Sequence, residues 1–153
     1  AVINNNLNGS WYMMQRAAQY WREHPIAGGG SIVNVVVVTE RGMPGVAHTV
    51  AARAGIIGAS RTVAVEWAPL GVRVNCVGPG VVETPLTAPI KANADWYNAY
   101  AAKNAFNRWA SPEEMVGPTL FLASDAASYV NGTIIFADGG WLAQDGRFTP
   151  PGM

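Results

Sequence analysis

The stretch SIVNVVVV at residues 31–38 decides the fold, together with the segments that follow it. The run is branched, continuous and preceded by glycines, which is typical of a strand covered on both faces of a parallel sheet. A helical pattern rich in small residues extends from about Val46 to Trp67, and a second apolar run covers Val72 to Val77. A strand, a crossover helix and a second strand form a βαβ unit, which predicts a parallel sheet.

The residues before this unit predict an amphipathic helix. Apolar side chains recur there at spacings of three and four and so share one face: Ile3, Leu7, Trp11, Met14, Ala18 and Trp21. Asn4, Asn5 and Asn6 interrupt the pattern, because the Asn amide competes with helical backbone hydrogen bonds. Two readings stay open for this segment: a frayed helix end, or a working position that breaks the local rules.

The residues after Gly80 predict a loop, two helices and a last strand. A loop to about residue 90 and a polar-aromatic helix over 95–104 lie beyond the end of a strand, where a substrate lid belongs. The segment SPEE at 111–114 predicts a capped helix start, with a helix to about residue 124. A strand over 133–137 then leads into Asp-Gly-Gly.

The composition restricts the class of partner and the compartment. The formal net charge is zero and only 13% of the residues are charged, which argues against nucleic acid or an anionic membrane surface as partner. The chain has one cysteine, Cys76, so no internal disulfide framework exists and a reducing, cytoplasmic compartment is expected. We expect no membrane span, because no apolar run has the required length, and we expect no metal site.

Several of these segments resemble the C-terminal half of short-chain dehydrogenases/reductases. The resemblance rests on GSIVN at 30–34, AARAG at 51–55, VEW at 65–67, GVRVN at 71–75 and PG at 79–80. Within that superfamily, His48 followed by AARAG and by VNCV at 74–77 is most similar to the trans-2-enoyl-CoA and 2,4-dienoyl-CoA reductase branch.

The resemblance implies a Rossmann-like, doubly wound parallel sheet of which residues 1–153 supply the C-terminal part, about three strands with flanking helices. A dinucleotide site of that fold has a Gly-rich turn after its first strand. The Gly28-Gly29-Gly30 segment precedes a strand and cannot serve. We therefore expect that the N-terminal, dinucleotide-binding half is absent from this sequence and that residues 1–153 alone are inactive.

The same resemblance implies an NAD(P)-dependent oxidoreductase that reduces the carbon–carbon double bond of an enoyl- or dienoyl-CoA, with NADP favoured over NAD. Two alternatives stay open: a short-chain alcohol or aldehyde dehydrogenase, and an inactive assembly protein that keeps the fold. The substrate is then a small molecule or an acyl-CoA, and the full-length protein is expected to form a homodimer or homotetramer.

The catalytic positions of the superfamily hold unusual residues here. The resemblance places Asn6 at the catalytic Asn, and Thr49 and Arg53 at the Tyr and Lys that lie one helical turn apart. The Ser position falls at Val36 or Val37, neither of which has a hydroxyl. A Thr hydroxyl is too weak an acid to replace Tyr, whereas Arg can still donate to ribose hydroxyls. This pattern favours double-bond reduction, in which Thr49 only stabilises an oxyanion on the thioester.

The resemblance also assigns binding roles at the ends of strands. Pro79 and Gly80 would pass under the nicotinamide, Val82 would bond its carboxamide through the backbone, and Thr84 would contact the carboxamide or a phosphate. Thr39 and His48 are candidate substrate contacts. The structural alternatives are a buried helix residue for Thr49, a surface ion pair for Arg53 and a structural role for His48.

Overall fold

The computed structural model describes residues 1–144 and contains one parallel three-stranded sheet with helices on both faces. The strands are β1 (Ser31–Val35), β2 (Arg73–Pro79) and β3 (Ile134–Ala137), in the spatial order β1-β2-β3. Ser31 lies opposite Arg73, and Cys76 lies opposite Ile134. The predicted doubly wound α/β fold with about three strands is therefore confirmed.

The helices follow the predicted order, with one addition. They are a π-helix (Ile3–Asn8), α1 (Gly9–Glu23), α2 (Ala47–Glu66), α3 (Ala88–Lys91), α4 (Ala94–Ala101) and α5 (Val116–Ala123), with short 3₁₀ turns at Ala68–Leu70, Pro112–Met115 and Asp125–Ala127. The one-turn α3 was not predicted, because its Ala-Pro sequence reads as a loop. Among the helices of residues 1–144, none has the length and apolar character that crossing a bilayer would require.

Side chains along the central strand β2 alternate between the two faces of the sheet, and buried residues lie on both faces. Val74 packs with Met14 of α1 and Val63 of α2 on one face. Val77, three residues further on, packs with Leu122 of α5 on the other face. Five consecutive residues of β2 are buried, as expected of a strand with neighbours on both edges and helices on both faces.

The first strand is shorter than its apolar run suggests. It ends at Val35, although Val36 and Val38 are still almost fully buried at 2% and 1% exposure. The Val36 N–H still donates to the Val77 carbonyl oxygen at 2.8 Å, and the chain then leaves the sheet. The apolar pattern therefore continues past the end of the strand because these loop residues are buried. Sequence alone does not distinguish a buried loop from a buried strand.

The asparagine-rich segment forms a π-helix and not a frayed end. The Gly9 N–H donates to the Asn4 carbonyl oxygen, five residues earlier, so the helix is wider there than an α-helix. Short π-helical stretches of this kind are frequent at functional sites. The sequence disturbance at Asn4–Asn6 thus corresponds to a real change in helix geometry.

Two asparagines fix the connection between β2 and β3. The buried Asn75 side chain donates to the Val130 carbonyl oxygen at 2.8 Å and accepts from the Thr133 N–H at 3.0 Å. Asn131 accepts from the Val74 N–H at 2.9 Å and donates to the Ala64 carbonyl oxygen at 2.8 Å. These bonds hold β3 in register beside β2, so the C-terminal ends of the strands form one edge.

Candidate functional site

The C-terminal ends of all three strands meet at one edge of the sheet. Val35, Pro79 and Ala137 are the last residues of β1, β2 and β3, and the strands are parallel. The crevice beyond this edge is where doubly wound α/β folds bind their ligands. Most of the candidate site residues lie on the loops or helices that begin here.

Arg53 is anchored at the end of β1. Its Nη1 donates to the Val35 carbonyl oxygen at 2.6 Å, while its buried Nε has no hydrogen-bond partner within residues 1–144. Burial lowers the pKa of the Arg53 guanidinium, which stays protonated near neutral pH. One corner of the guanidinium is thus fixed to the strand, and Nη2, which bonds no described residue, is the donor suited to a ligand oxygen such as a ribose hydroxyl.

Thr49 and His48 lie in the first turn of α2. Thr49 is half-buried, and its backbone N–H donates to the Val46 carbonyl oxygen at 2.9 Å. Its hydroxyl makes no hydrogen bond to any residue that the structure describes, so it is available to a ligand. Since Arg53 follows four residues later, the two side chains share one helical face. His48 is exposed.

Asn6 lies in the π-helix, which packs directly against α2. A methyl group added at Gly55 of α2 would lie 2.9 Å from Leu7 Cδ1, so any larger residue there would require the Leu7 side chain to move. The Asn6 carbonyl oxygen accepts from Ser10 Oγ at 2.7 Å, and its side chain donates to the Val2 carbonyl oxygen at 3.1 Å. Asn6 and Arg53 therefore belong to two helical segments in direct contact.

Pro79 is the last residue of β2, and Gly80 begins the turn that follows the strand. The Gly80 N–H donates to the Ala137 carbonyl oxygen at 3.0 Å. A Cβ at Gly80 would lie 2.8 Å from Asp138 Cα. Glycine is thus required because two strand ends meet here, in addition to any contact with a ligand.

Val82 continues in an extended conformation beside Ala110. The Glu83 N–H donates to the Ala110 carbonyl oxygen and the Ala110 N–H to the Val81 carbonyl oxygen, both at 2.9 Å. Because N–H and C=O groups alternate in direction along an extended chain, the Val82 N–H points away from Ala110. It donates to no described residue, which leaves it available to a ligand.

Thr84 is fixed by Thr87, a residue that the sequence pattern did not indicate as part of the site. The Thr84 N–H donates to Thr87 Oγ1 at 2.9 Å, and the two hydroxyl oxygens are 3.1 Å apart. Thr87 Oγ1 also donates to the Val82 carbonyl oxygen at 2.8 Å. Val82 and Thr84 are therefore held in one turn, and the Thr-x-x-Thr spacing is the sequence signal for it.

Thr39 lies in the loop after β1, where its polar groups are already paired. Its N–H and its hydroxyl donate to one carboxylate oxygen of Glu40, at 3.0 and 3.3 Å. Glu40 is exposed, but its carboxylate is bound to Thr39 and is not simply a solvated charge. The Thr39 hydroxyl would have to leave this carboxylate before it could donate to a substrate.

A cleft of about 310 Å³ extends from the turn after β2 to the start of α5. It is lined by Gly80 and Val81 on one side and by Arg108 and Glu114 on the other. These two charges form a bidentate pair, with Nη1–Oε2 and Nη2–Oε1 distances of 2.7 and 2.6 Å. The hydrogen bonds from Arg108 lower the pKa of Glu114 to about 2.

The remaining candidates are accounted for by burial. Cys76 is 1% exposed in the middle of β2, and burial raises the pKa of its thiol, so it is a small core residue and not a nucleophile. In the described part of the chain, no three His, Cys, Asp or Glu side chains lie close enough together to hold a metal ion.

Comparison with known proteins places this architecture in a family. A model of the family described as Enoyl-(Acyl carrier protein) reductase matches residues 1–142. The chain is 41% identical to the 3-oxoacyl-[acyl-carrier-protein] reductase of Thermotoga maritima, over 92% of this chain and 55% of that protein. It is 38% identical to a Bacillus subtilis protein assigned as a 2,4-dienoyl-CoA reductase, over 93% of this chain and 57% of that protein.

Solved structures agree with this placement. A Beutenbergia cavernae protein assigned as an NAD(P)-dependent gluconate 5-dehydrogenase, with bound NADP at low occupancy, has a TM-score of 0.87 and 40% identity. The alignment covers 94% of this chain and 57% of that one.

The chain thus spans about half the length of the relatives it matches. The superfamily prediction is confirmed, while the names of the relatives cover carbonyl, sugar-acid and dienoyl-CoA chemistry and single out no branch. On the family match and the shared fold, the chain belongs to the enoyl-(acyl carrier protein) reductase family of short-chain dehydrogenases/reductases.

Proposed function

We propose that this chain is the C-terminal part of an NADP-dependent reductase that acts on the carbon–carbon double bond of an enoyl- or dienoyl-CoA. The observation that carries the proposal is the pair on α2: an unpaired Thr49 hydroxyl four residues before an anchored, permanently charged Arg53. This pair can donate hydrogen bonds but cannot supply a proton near neutral pH. The dienoyl-CoA relative is consistent with it.

The residues present fit the nicotinamide end of a dinucleotide. Arg53 Nη2, which bonds no described residue, would hold the ribose hydroxyls, and the free Val82 N–H with Thr84 would hold the carboxamide. NADP is favoured because it is bound in the Beutenbergia cavernae structure. When bound, the cofactor supplies a hydride. We assign no residue of this chain to the pyrophosphate.

Thr49 would act on the thioester oxygen. Addition of hydride at the β-carbon moves electron density to that oxygen, and a positioned O–H donor stabilises the resulting oxyanion. The positive charge of Arg53, one helical turn away, favours the same anion. The α-carbon then takes a proton from water, so no acidic side chain is required at position 49.

A short-chain alcohol or aldehyde dehydrogenase is the second candidate. The names of the Thermotoga maritima and Beutenbergia cavernae relatives favour it, because both describe carbonyl or hydroxyl substrates. The Thr49 hydroxyl counts against it, since carbonyl reduction requires a group that delivers a proton to the carbonyl oxygen.

Two substitutions in the full-length protein separate these possibilities. Arg53→Ala should weaken NADPH binding by about 1.5–3 kcal/mol, because a charged donor is lost from a partly dry site. Thr49→Val should lower enoyl-CoA turnover by no more than roughly 10²- to 10³-fold and should leave the affinity for NADPH unchanged. Thr119→Val is the matched control, because its hydroxyl only bonds the Met115 carbonyl oxygen one helical turn earlier.

The results that would contradict the proposal are specific. Complete loss of turnover in Thr49→Val would make Thr49 a proton-transfer residue. Turnover of alcohols or aldehydes, but of no enoyl-CoA, would support the dehydrogenase reading. A full-length protein that binds NADPH but turns over none of these substrates would support a non-catalytic assembly protein.

A further inference from the structure

The segment that follows β3 is held in place by its own first residue. The two carboxylate oxygens of Asp138 accept from the Gly140 N–H and the Leu142 N–H, each at 2.9 Å. Gly139 and Gly140 both have positive φ, so the chain turns sharply there. We name residues 138–144 the C-terminal brace.

The brace is bonded to the loop after β1. Arg41 Nη2 donates to the Leu142 carbonyl oxygen at 3.2 Å, across 101 positions of sequence. Leu142 is thus held on both sides, by Asp138 through its N–H and by Arg41 through its carbonyl. The loop that contains Arg41 also carries Thr39 and Glu40 at the candidate site.

The other side of the brace contacts residues 103–105, which follow α4. The Ala105 N–H donates to the Gly139 carbonyl oxygen at 2.9 Å, and Gln144 Nε2 donates to the Lys103 carbonyl oxygen at 3.1 Å. Lys103 Nζ lies 4.9 Å from the ring centroid of the buried Trp141. The brace therefore connects the loop after β1 with the helical segment after β2.

We propose that Arg41 is a positioning residue that holds the loop after β1 against residues 103–105, which follow α4, through the C-terminal brace. The loop has no helix or strand between residues 36 and 46, and its part after the buried Val38 contains Gly42, Pro44 and Gly45, so that part needs a tertiary contact to hold one conformation. A guanidinium–carbonyl bond is charge-assisted and supplies that contact. The assignment of a substrate site to this edge rests on the proposed function.

Hydrogen exchange on the full-length protein without substrate tests the coupling itself. Arg41→Ala should raise the exchange rates of the Gly140 and Leu142 amides, and of amides in the loop over residues 36–46, by about tenfold. Arg41→Lys should restore slow exchange, because an ammonium can still donate to the Leu142 carbonyl oxygen. Arg22→Ala is the control: Arg22 is exposed and bonds no other element within residues 1–144.

Steady-state kinetics tests the positioning role separately. Arg41→Ala should lower kcat/KM for the acyl substrate about tenfold while the Kd for NADPH is unchanged, and Arg41→Lys should recover most of the loss. Unchanged exchange in both segments of Arg41→Ala would overturn the inference, whatever the activity. Faster exchange with an unchanged kcat/KM would overturn the positioning role. Absence of turnover in the parent protein would contradict the proposed function, and the exchange result would still decide the coupling.

Discussion

At the scale of the residue, Gly80 permits a close backbone contact at the site because glycine has no side chain. The turn after β2 passes so close to the end of β3 that a Cβ at Gly80 would lie 2.8 Å from Asp138 Cα. Asp138 in turn holds the N–H groups of Gly140 and Leu142. The turn over residues 80–84, which we propose binds the cofactor, is therefore in close backbone contact with the C-terminal brace, at Gly80 and Asp138.

Gly80→Ala should lower the free energy of unfolding by about 1–3 kcal/mol, because backbone atoms must move to admit the methyl group. Urea denaturation of the full-length protein measures this change. Gly117→Ala is the control, since no atom lies within 4 Å of its added Cβ, and it should leave stability unchanged or slightly higher. Equal stability of Gly80→Ala and the parent would show that the two strand ends are not packed as described.

At the scale of the element, the start of the 3₁₀ turn that leads into α5 is fixed by charge. The Glu114 carboxylate accepts from the Ser111 N–H at 2.8 Å, as the predicted capping box requires, and from both Arg108 Nη atoms. The capping box was predicted from SPEE alone. The partner Arg108 was not, because it lies outside the motif and only the turn at residues 104–110 brings it back to Glu114.

We therefore expect that protonation of Glu114 at acid pH lowers the stability of the fold. Its pKa is lowered from 4.5 to about 2 in the folded chain, so the folded state favours the ionised form. This contribution is fully present above about pH 4.5 and is lost as the pH falls toward about 2. Glu114→Gln should have a lower urea midpoint at pH 7 and a smaller decrease between pH 5 and 2.5 than the parent.

Glu23→Gln provides the control for this measurement, because Glu23 forms no ion pair within the described part of the chain. The urea midpoint of Glu23→Gln should equal that of the parent protein at each pH. A decrease in the urea midpoint of Glu114→Gln as steep as that of the parent would assign the acid sensitivity to other carboxylates.

At the scale of the whole molecule, both α1 and α2 keep apolar surface that the sheet does not cover. Val65 of α2 is 76% exposed and Tyr12 of α1 is 64% exposed. Ala54 and Gly58 of α2 are exposed as well, and small side chains permit close approach of another helix. These faces agree with the homodimer or homotetramer expected from the superfamily resemblance.

We predict that the full-length protein is a dimer or tetramer and that Gly58→Arg reduces its molar mass in solution, because a long charged side chain blocks close packing of α2. Light scattering at micromolar concentration measures the change. Ser128→Arg, on an exposed turn beyond α5, should leave the molar mass unchanged. A parent protein that is monomeric under these conditions would contradict the prediction.

Local pattern accounts for most of the fold. Residues 31–38 and 72–77 predicted parallel strands, and α2 lies within one residue of its predicted bounds, because long runs with one period restrict the backbone strongly. The end of β1 was misplaced by three residues, since Val36 and Val38 are buried by tertiary contacts and not by strand pairing. Thr87 was missed because a Thr-x-x-Thr turn has weak local signal until Val82 and Thr84 are seen beside it.

The sequence by itself determined the α/β class and the order of the strands along the chain, since both follow from the succession of strand and helix patterns. The resemblance to the superfamily, which is also a property of the sequence, marked Thr49 and Arg53 as unusual residues one helical turn apart. Only the tertiary structure decided what these residues contact. It anchored Arg53 to the Val35 carbonyl oxygen and brought Arg41 to Leu142, 101 positions away. Such contacts join elements that are distant in sequence, and helical or strand periodicity contains no information about their distances.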